Sequence, residues 1–166
     1  MLVAVISDTH MPRGARRLPD AFVGHIQAAD LLLHAGDFMT LEVLRELERI
    51  GPPLLGVHGN VDSAELRRLL PAERVVAVGE ARIAMVHDAG PATGRLERMR
   101  RRFGDAAEAV VFGHSHLPLH ERAPDGFQIF NPGSPTERRR APAHTMGLGT
   151  VEGSSVEFRL IPYTAR

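Results

Sequence analysis

The chain has 166 residues, 43% hydrophobic and 24% charged, with 20 basic and 20 acidic side chains and no cysteine. That is globular rather than disordered composition, one domain's worth spanning 1–166, and long enough to bury a core without covalent staples. The missing cysteines exclude disulfides, thiolate zinc sites, iron–sulfur clusters and cysteine nucleophiles, and the balanced charge offers no global basic field for nucleic acid or membrane.

The first apolar run, Leu2–Ile6, has no basic region before it and passes straight into Ser7-Asp8, so it reads as a buried strand rather than a signal segment. No apolar stretch approaches the ~20 residues of a membrane span, and a cytoplasmic protein is the expectation. Further short apolar runs follow at Leu31–Ala35, Leu54–Val57, Ile83–Val86 and Ala109–Phe112, with a weaker one at Val75–Val78. Such runs suit strands buried on both faces. Between them, Leu41, Leu44, Leu47 and Ile50 mark a helix with Thr40 as N-cap and Gly51-Pro52 as stop. Asp62-Ser63-Ala64-Glu65 has the residue types of a capping box, with Asp62 as N-cap, opening a helix to Leu70. Leu96, Met99 and Phe103 recur at helical spacing before Gly104, read as a left-handed terminating glycine, while Arg95, Arg98 and Arg102 share another face.

In the last third the pattern changes to hairpins. Leu119–Ala123 and Phe127–Asn131 flank Pro124-Asp125-Gly126, and Met146–Val151 and Ser155–Ile161 flank Glu152-Gly153-Ser154. The loop between them, Pro132–Pro142, carries Arg138, Arg139 and Arg140. The expected α/β architecture is two stacked sheets with helices outside, one sheet fed by βα units and one closed by the C-terminal hairpins.

Two biases stand out. All basic residues are arginine, which excludes a Schiff-base lysine and a P-loop lysine, and nine residues are histidine. The histidines fall where chemistry is expected, since five apolar runs each end in polar residues able to ligate a metal. These are Asp8 and His10, Asp37, Asn60, His87, and His114 with His116. Carboxyl ends of strands are where ligand crevices lie in open α/β sheets. Carboxylate, amide and imidazole without thiolate suit Mn²⁺, Fe²⁺ or Zn²⁺, and seven donors match two ions sharing one carboxylate better than one tetrahedral site. Gly36, Gly59 and Gly113 each precede a donor and are expected to turn the backbone sharply out of its strand.

The ordered set Asp8-x-His10, Gly36-Asp37, Gly59-Asn60-x-Asp62, His87, Gly113-His114-x-His116 and Asn131-Pro132-Gly133-Ser134 resembles the calcineurin-like metallophosphoesterases, in particular their small single-domain bacterial and archaeal branch. The resemblance implies a four-layer αββα sandwich holding two divalent ions, Mn²⁺ before Fe, Zn or Ni. By position, Asp8, His10, Asp37 and His116 would bind one ion, and Asn60, His87, His114 and a bridging Asp37 the other. It further implies a phosphodiesterase, hydrolysing its ester by in-line attack of a hydroxide shared by the ions, with Asp37, Asn60 and His114 at the reacting centre. Two carboxylates against two dications and one hydroxide would leave such a site positive by about one unit, attractive to an anionic small-molecule ester. A phosphomonoesterase and a non-catalytic interaction module, for which the retromer subunit of this fold is the precedent, are the alternatives. Sparse aromatics and neutral charge give nucleic acid no support, and self-association is left open.

The sequence departs from that family in two places. Val61 stands where many members carry a histidine that touches the substrate, so a preference for good leaving groups is expected. His87-Asp88 replaces the common His-Gly, making Asp88 a candidate neighbour of the ligands or a turn residue. Arg13, with Arg16 and Arg17, is placed to meet a phosphate, while His34, His58 and Asp62 are candidates to stand behind the ligands. His25, His120 and His144 read as structural, with a place facing the cleft as the alternative for His144, which follows the arginine loop.

Overall fold

In the computed structural model, which describes residues 1–11 and 13–163, the first apolar run forms strand β1 (Leu2–Ile6), and its alternate side chains enter two different cores. Val3 and Val5 face one way, Ala4 and Ile6 the other, and all four are fully buried. Alternation on a pleated strand explains this, because successive side chains point to opposite faces. The elements then follow in order: α1 (Asp20–Gln27), β2 (Leu31–His34), α2 (Leu41–Ile50), β3 (Leu54–Gly56), α3 (Ala64–Leu69), β4 (Glu73–Val78) and β5 (Ala81–Val86). After them come α4 (Arg95–Phe103), β6 (Ala109–Val111), β7 (Leu119–Arg122), β8 (Gln128–Asn131), β9 (His144–Glu152) and β10 (Ser155–Tyr163).

The strands make two mixed five-stranded sheets, ordered β10-β9-β1-β2-β3 and β4-β5-β6-β8-β7. Val3, Val5, Leu31 and Leu33 from the first meet Ile83, Met85, Val111 and Phe130 from the second in a central core. On the first sheet's other face, Ala4, Ile6 and Leu32 pack on Phe22 and Ile26 of α1, on Val43, Leu44 and Leu47 of α2 and on Leu66 of α3. Ala84, Val110 and Ile129 pack on Met99 and Phe103 of α4. The four layers are therefore helix, sheet, sheet, helix, as the resemblance implied.

The two C-terminal hairpins do not share a sheet. β7–β8 closes the second sheet, but β9 runs antiparallel to β1, with Leu2 opposite Thr150, and β10 becomes the outer edge of the first. The run Met146-Gly147-Leu148-Gly149 explains the placement. Met146 and Leu148 fill the helix-side core, while Gly147 and Gly149 face inward, where an added Cβ would sit 2.3 Å from Phe130 and 3.0 Å from Phe158. Their bareness leaves room for the stacked rings of Phe130 and Phe158, 4.5 Å between centroids.

Two helix ends also differ from the sequence reading. The N-cap of α3 is Ser63, whose Oγ accepts from Leu66 N–H at 3.3 Å, so Glu65 does not stand where a capping box needs it and Asp62 is free for another task. Gly104 ends α4 with a right-handed φ of −60°; its requirement is steric, since a Cβ there would lie 2.5 Å from the Arg100 carbonyl. Arg95 and Arg98 are spent on holding the preceding loop, through the carbonyls of Gly90, Ala89 and Pro91.

Leu47 is fully buried and Leu69 is 54% exposed. Leu47→Ala is expected to lower stability by about 2–5 kcal/mol in urea denaturation, and Leu69→Ala by no more than about 0.5 kcal/mol.

Candidate metal centre

The loops that leave β1, β2, β5 and β6 are tied to each other before any side chain is considered. Asp8 N–H donates to Gly36 C=O at 2.9 Å and His10 N–H to Asp37 C=O at 3.1 Å, joining the first two loops. Gly113 N–H donates to His87 C=O at 2.9 Å, joining the other pair. His114 N–H then donates to the Asp8 carboxylate at 3.0 Å, bridging the two sheets.

Five donor residues adopt left-handed backbone: Asp8 (φ 55°), His10 (44°), Asp37 (63°), His114 (69°) and His116 (58°). For a non-glycine residue this costs of order 1–2 kcal/mol, and such strain collects where side chains must be aimed. Of the three glycines expected to turn the chain, only Gly36 (φ 96°) does so by its backbone angle. Gly59 and Gly113 are needed for close approach instead, since a Cβ would lie 2.0 Å from Asp37 Oδ1 and 1.9 Å from Ser7 Oγ respectively.

The side chains converge on two buried carboxylates. His10 Nε2 and His87 Nε2 each lie 3.2 Å from Asp37 Oδ2. Asp8 Oδ1 lies 3.4 Å from His116 Nε2, 3.9 Å from His10 Nε2 and 4.0 Å from His87 Nε2. Two groups of ligand atoms close enough to hold an ion result, Asp8–His10–His116 and Asp8–Asp37–His87. Asn60 Oδ1 is 3.0 Å from His87 Nε2 and 2.9 Å from His114 Nδ1, and the His114 side chain is 47% exposed, so this end opens to solvent.

Imidazole orientation is set from behind. His87 Nδ1–H donates to Ala35 C=O and His116 Nδ1–H to Glu137 C=O, both at 2.7 Å, which turns each Nε2 toward the carboxylates. Buried His116 Nε2 has no hydrogen-bond partner among the described residues, which suits a position made for a cation.

The electrostatics agree. Burial opposes ionisation of Asp37, but hydrogen bonds from His10 and His87, the nearby charge of His87 and the Val61 N–H outweigh it and hold the carboxyl well below the usual range. At the more deeply buried Asp8, desolvation prevails over His87, His116 and Ser7, and its pKa is raised. His87 loses to burial but gains more from its bond to Asp37 and the charges of Asp8 and Asp37, and is pushed up to about 9. Burial lowers His116 more than Asp8 raises it. The cluster attracts positive charge.

The other sequence candidates make contacts of their own. Asp62, buried, accepts from the N–H groups of Asp37 (3.0 Å), Met39 (2.7 Å) and Gly59 (2.6 Å); it clamps the β2 and β3 loops and does not cap α3. His34 is fully buried, accepts from Gly36 N–H at 3.1 Å and stacks on Phe38 at 3.5 Å. The His58 ring lies 3.3 Å from Gly59 C=O, and its backbone N–H donates to Pro71 C=O at 3.0 Å. Asp88 accepts from Gly90 N–H at 2.7 Å in a turn, with its other oxygen 4.0 Å from His114 Nε2. Arg13 is exposed and faces an open cavity of about 500 Å³ with Arg17, His144 and Tyr163, while Arg16 pairs with Glu137 at 2.7 Å. Glu137 was not singled out by sequence, since it sits in an irregular loop among arginines with no period to mark it.

A sequence profile of the calcineurin-like phosphoesterase superfamily domain matches residues 1–154. A probable metallophosphoesterase of Methanothermobacter thermautotrophicus is 31% identical over 162 residues, 97% of this chain and 92% of its own. Another, of Methanocaldococcus jannaschii, is 30% identical over 164 residues, 98% of this chain and 81% of its own. Among solved structures, Vps29 of Chaetomium thermophilum superposes with a TM-score of 0.78 over 99% of both chains at 20% identity, a likeness of fold. No described helix is long and apolar enough to cross a membrane.

His34 supplies a pH test of the metal-free protein. Burial first, then the charge of His87, lowers it from 6.5 to about 3. It is largely neutral in both states at pH 7, and as pH falls through 6.5 the unfolded chain takes up a proton that the folded chain refuses. Stability therefore falls as pH drops toward 3, with His34 contributing a loss of about 2 kcal/mol between pH 7 and 5. Urea denaturation at several pH values should show this loss reduced in His34→Gln; an equal loss in both proteins would contradict the assignment.

Proposed function

The chain belongs to the calcineurin-like phosphoesterase superfamily, and from that premise we propose that it is a phosphodiesterase of small anionic esters that works with two divalent ions, Mn²⁺ foremost. The observation that carries the reading is the pair of adjoining donor groups, Asp8–His10–His116 and Asp8–Asp37–His87, with the orphaned Nε2 of His116 aimed into the first. In this reading Asp8, His10, Asp37 and His116 hold one ion, and Asn60, His87, His114 and Asp37 the other. Both groups contain Asp8, yet Asp37 Oδ2 is the atom equidistant, at 3.2 Å, from a histidine of each set, and we assign it the bridging role. When bound, the ions supply positive charge to the phosphate oxygens and lower the pKa of the attacking water.

The chain's own side chains do the rest. The hydrogen bonds between the loops and those behind His87 and His116 keep the donors in place before any ligand arrives, so little reorganisation is left for the reaction. The exposed His114 and Asn60 mark the side from which an ester enters. Asp88 Oδ2 lies 4.0 Å from His114 Nε2, on the same open side of the site. Val61 contributes its N–H to Asp37 Oδ1 at 3.0 Å, but its 43%-exposed side chain has no proton to give a departing alkoxide. Asp62 cannot serve instead, because three backbone N–H groups occupy its buried carboxylate. Leaving groups that depart without protonation are therefore favoured. A binding module is the second reading, and the likeness to Vps29 in fold is what raises it; the presence of every donor residue of the pattern favours the phosphodiesterase.

With Mn²⁺, the protein is expected to hydrolyse a bis-aryl phosphate, and Asp37→Ala to abolish that activity. An alkyl phosphomonoester should react slower by about 10²–10⁴-fold, the usual worth of a missing general acid. Comparable rates on the two esters would contradict the role given to Val61, and full activity of Asp37→Ala would contradict the bridge.

A further inference from the structure

The segment after β8 reaches back to the metal centre through a serine. Ser134 Oγ donates to Asp8 C=O at 2.8 Å and accepts from the N–H groups of Glu137 (2.8 Å) and Thr136 (3.3 Å). Thr136 Oγ1 donates to Thr9 C=O. These bonds lay Glu137 directly behind two histidines of the first donor group. Its carbonyl receives His116 Nδ1–H at 2.7 Å. Its carboxylate is split between two neighbours: Oε1 accepts from Arg16 Nη2 at 2.7 Å, and Oε2 stands 2.9 Å from His10 Nδ1.

Oε2 is buried and makes no aligned hydrogen bond among the described residues, although the closest donor is the imidazole nitrogen of a proposed ligand. A buried carboxylate oxygen is costly to leave unsatisfied. A neutral imidazole, in turn, presents a lone pair at one nitrogen only when the other carries the proton, and an acceptor behind the ring decides which. Arg16 contributes by holding Oε1 and part of the negative charge, so the carboxylate faces His10 rather than solvent.

We propose that Glu137 is the positioning residue of the first metal site: its carboxylate takes the Nδ1–H of His10 while its carbonyl takes that of His116, so both rings present Nε2 to the ion. This rests on the ligand assignment above and adds a residue outside that set. One residue then orients half of the first site, by side chain on one ring and by backbone on the other, and substitution separates the two.

The test uses Zn²⁺ and needs no substrate. Long-range ¹H–¹⁵N NMR of the Zn²⁺-loaded protein should show His10 and His116 coordinating through Nε2 with a proton on Nδ1. In Glu137→Ala the His10 Nδ1–H signal should be lost to solvent exchange, while that of His116, held by a backbone carbonyl, persists. Calorimetric Zn²⁺ titration should show the first site weakened by about 10–100-fold in Glu137→Ala, with most of the affinity recovered in Glu137→Gln, which keeps an acceptor oxygen. Coordination of His10 through Nδ1 in the unmodified protein would overturn the proposal without any variant having to fold. So would Glu137→Ala with unchanged affinity and an intact His10 signal. Wild-type protein that binds no Zn²⁺ would overturn the site reading and this one together, whereas failure to cleave diesters would leave this result standing.

Discussion

Asp8 and Asp37 are two carboxylates buried within reach of the same histidines, and much of the molecule follows from keeping them there. Desolvation and mutual repulsion both oppose the charge on such a pair. Metal-free, His87 offsets part of it by holding a proton to well above neutral pH. A divalent ion in each donor group would offset more, and the unpartnered His116 Nε2 shows where the existing groups fall short.

Holding the pair requires unusual backbone, and the surroundings stabilise it. Asp62 spends both oxygens on N–H groups of the β2 and β3 loops, and Ser7 donates to Asp8 Oδ2 at 2.7 Å. Ser134 anchors the β8–β9 loop to the Asp8 carbonyl, and Asn131 Nδ2 donates to Gly113 C=O at 3.0 Å. The Asn131-Pro132-Gly133-Ser134 segment is thus a staple joining the ends of three strands, and its connection to chemistry runs through positioning rather than direct contact. The apolar layers do their part at longer range, since the central core fixes the spacing of the sheets whose ends carry the donors.

The strands and the donor set were legible because they depend on local pattern. β1 and β2 are buried on both faces, so their residues are apolar without alternation, and the polar residue that breaks each run is where the chain meets the cleft. The N-cap reading of Asp62 fails because Asp62 and Ser63 are both good caps in adjacent positions, and only the approach of the β2 loop decides which one is used otherwise. Gly59 and Gly113 looked like turn glycines, but atoms from distant loops, Asp37 Oδ1 and Ser7 Oγ, are what exclude a Cβ there. The division of the hairpins between sheets hinged on long-range pairing of Leu2 with Thr150, whose only local trace is the Met-Gly-Leu-Gly alternation. Glu137 left no trace, because a loop residue that acts through one side-chain oxygen and one carbonyl belongs to no periodic signal.

Whether Asp8, His10, Asp37, Asn60, His87, His114 and His116 form one dinuclear centre is tested most directly by anomalous X-ray diffraction from crystals grown with Mn²⁺. Two manganese peaks about 3.5–4 Å apart are predicted, one among Asp8, His10 and His116, one against Asn60, His87 and His114, with Asp37 between them. A single peak, or ions bound away from these side chains, would contradict it.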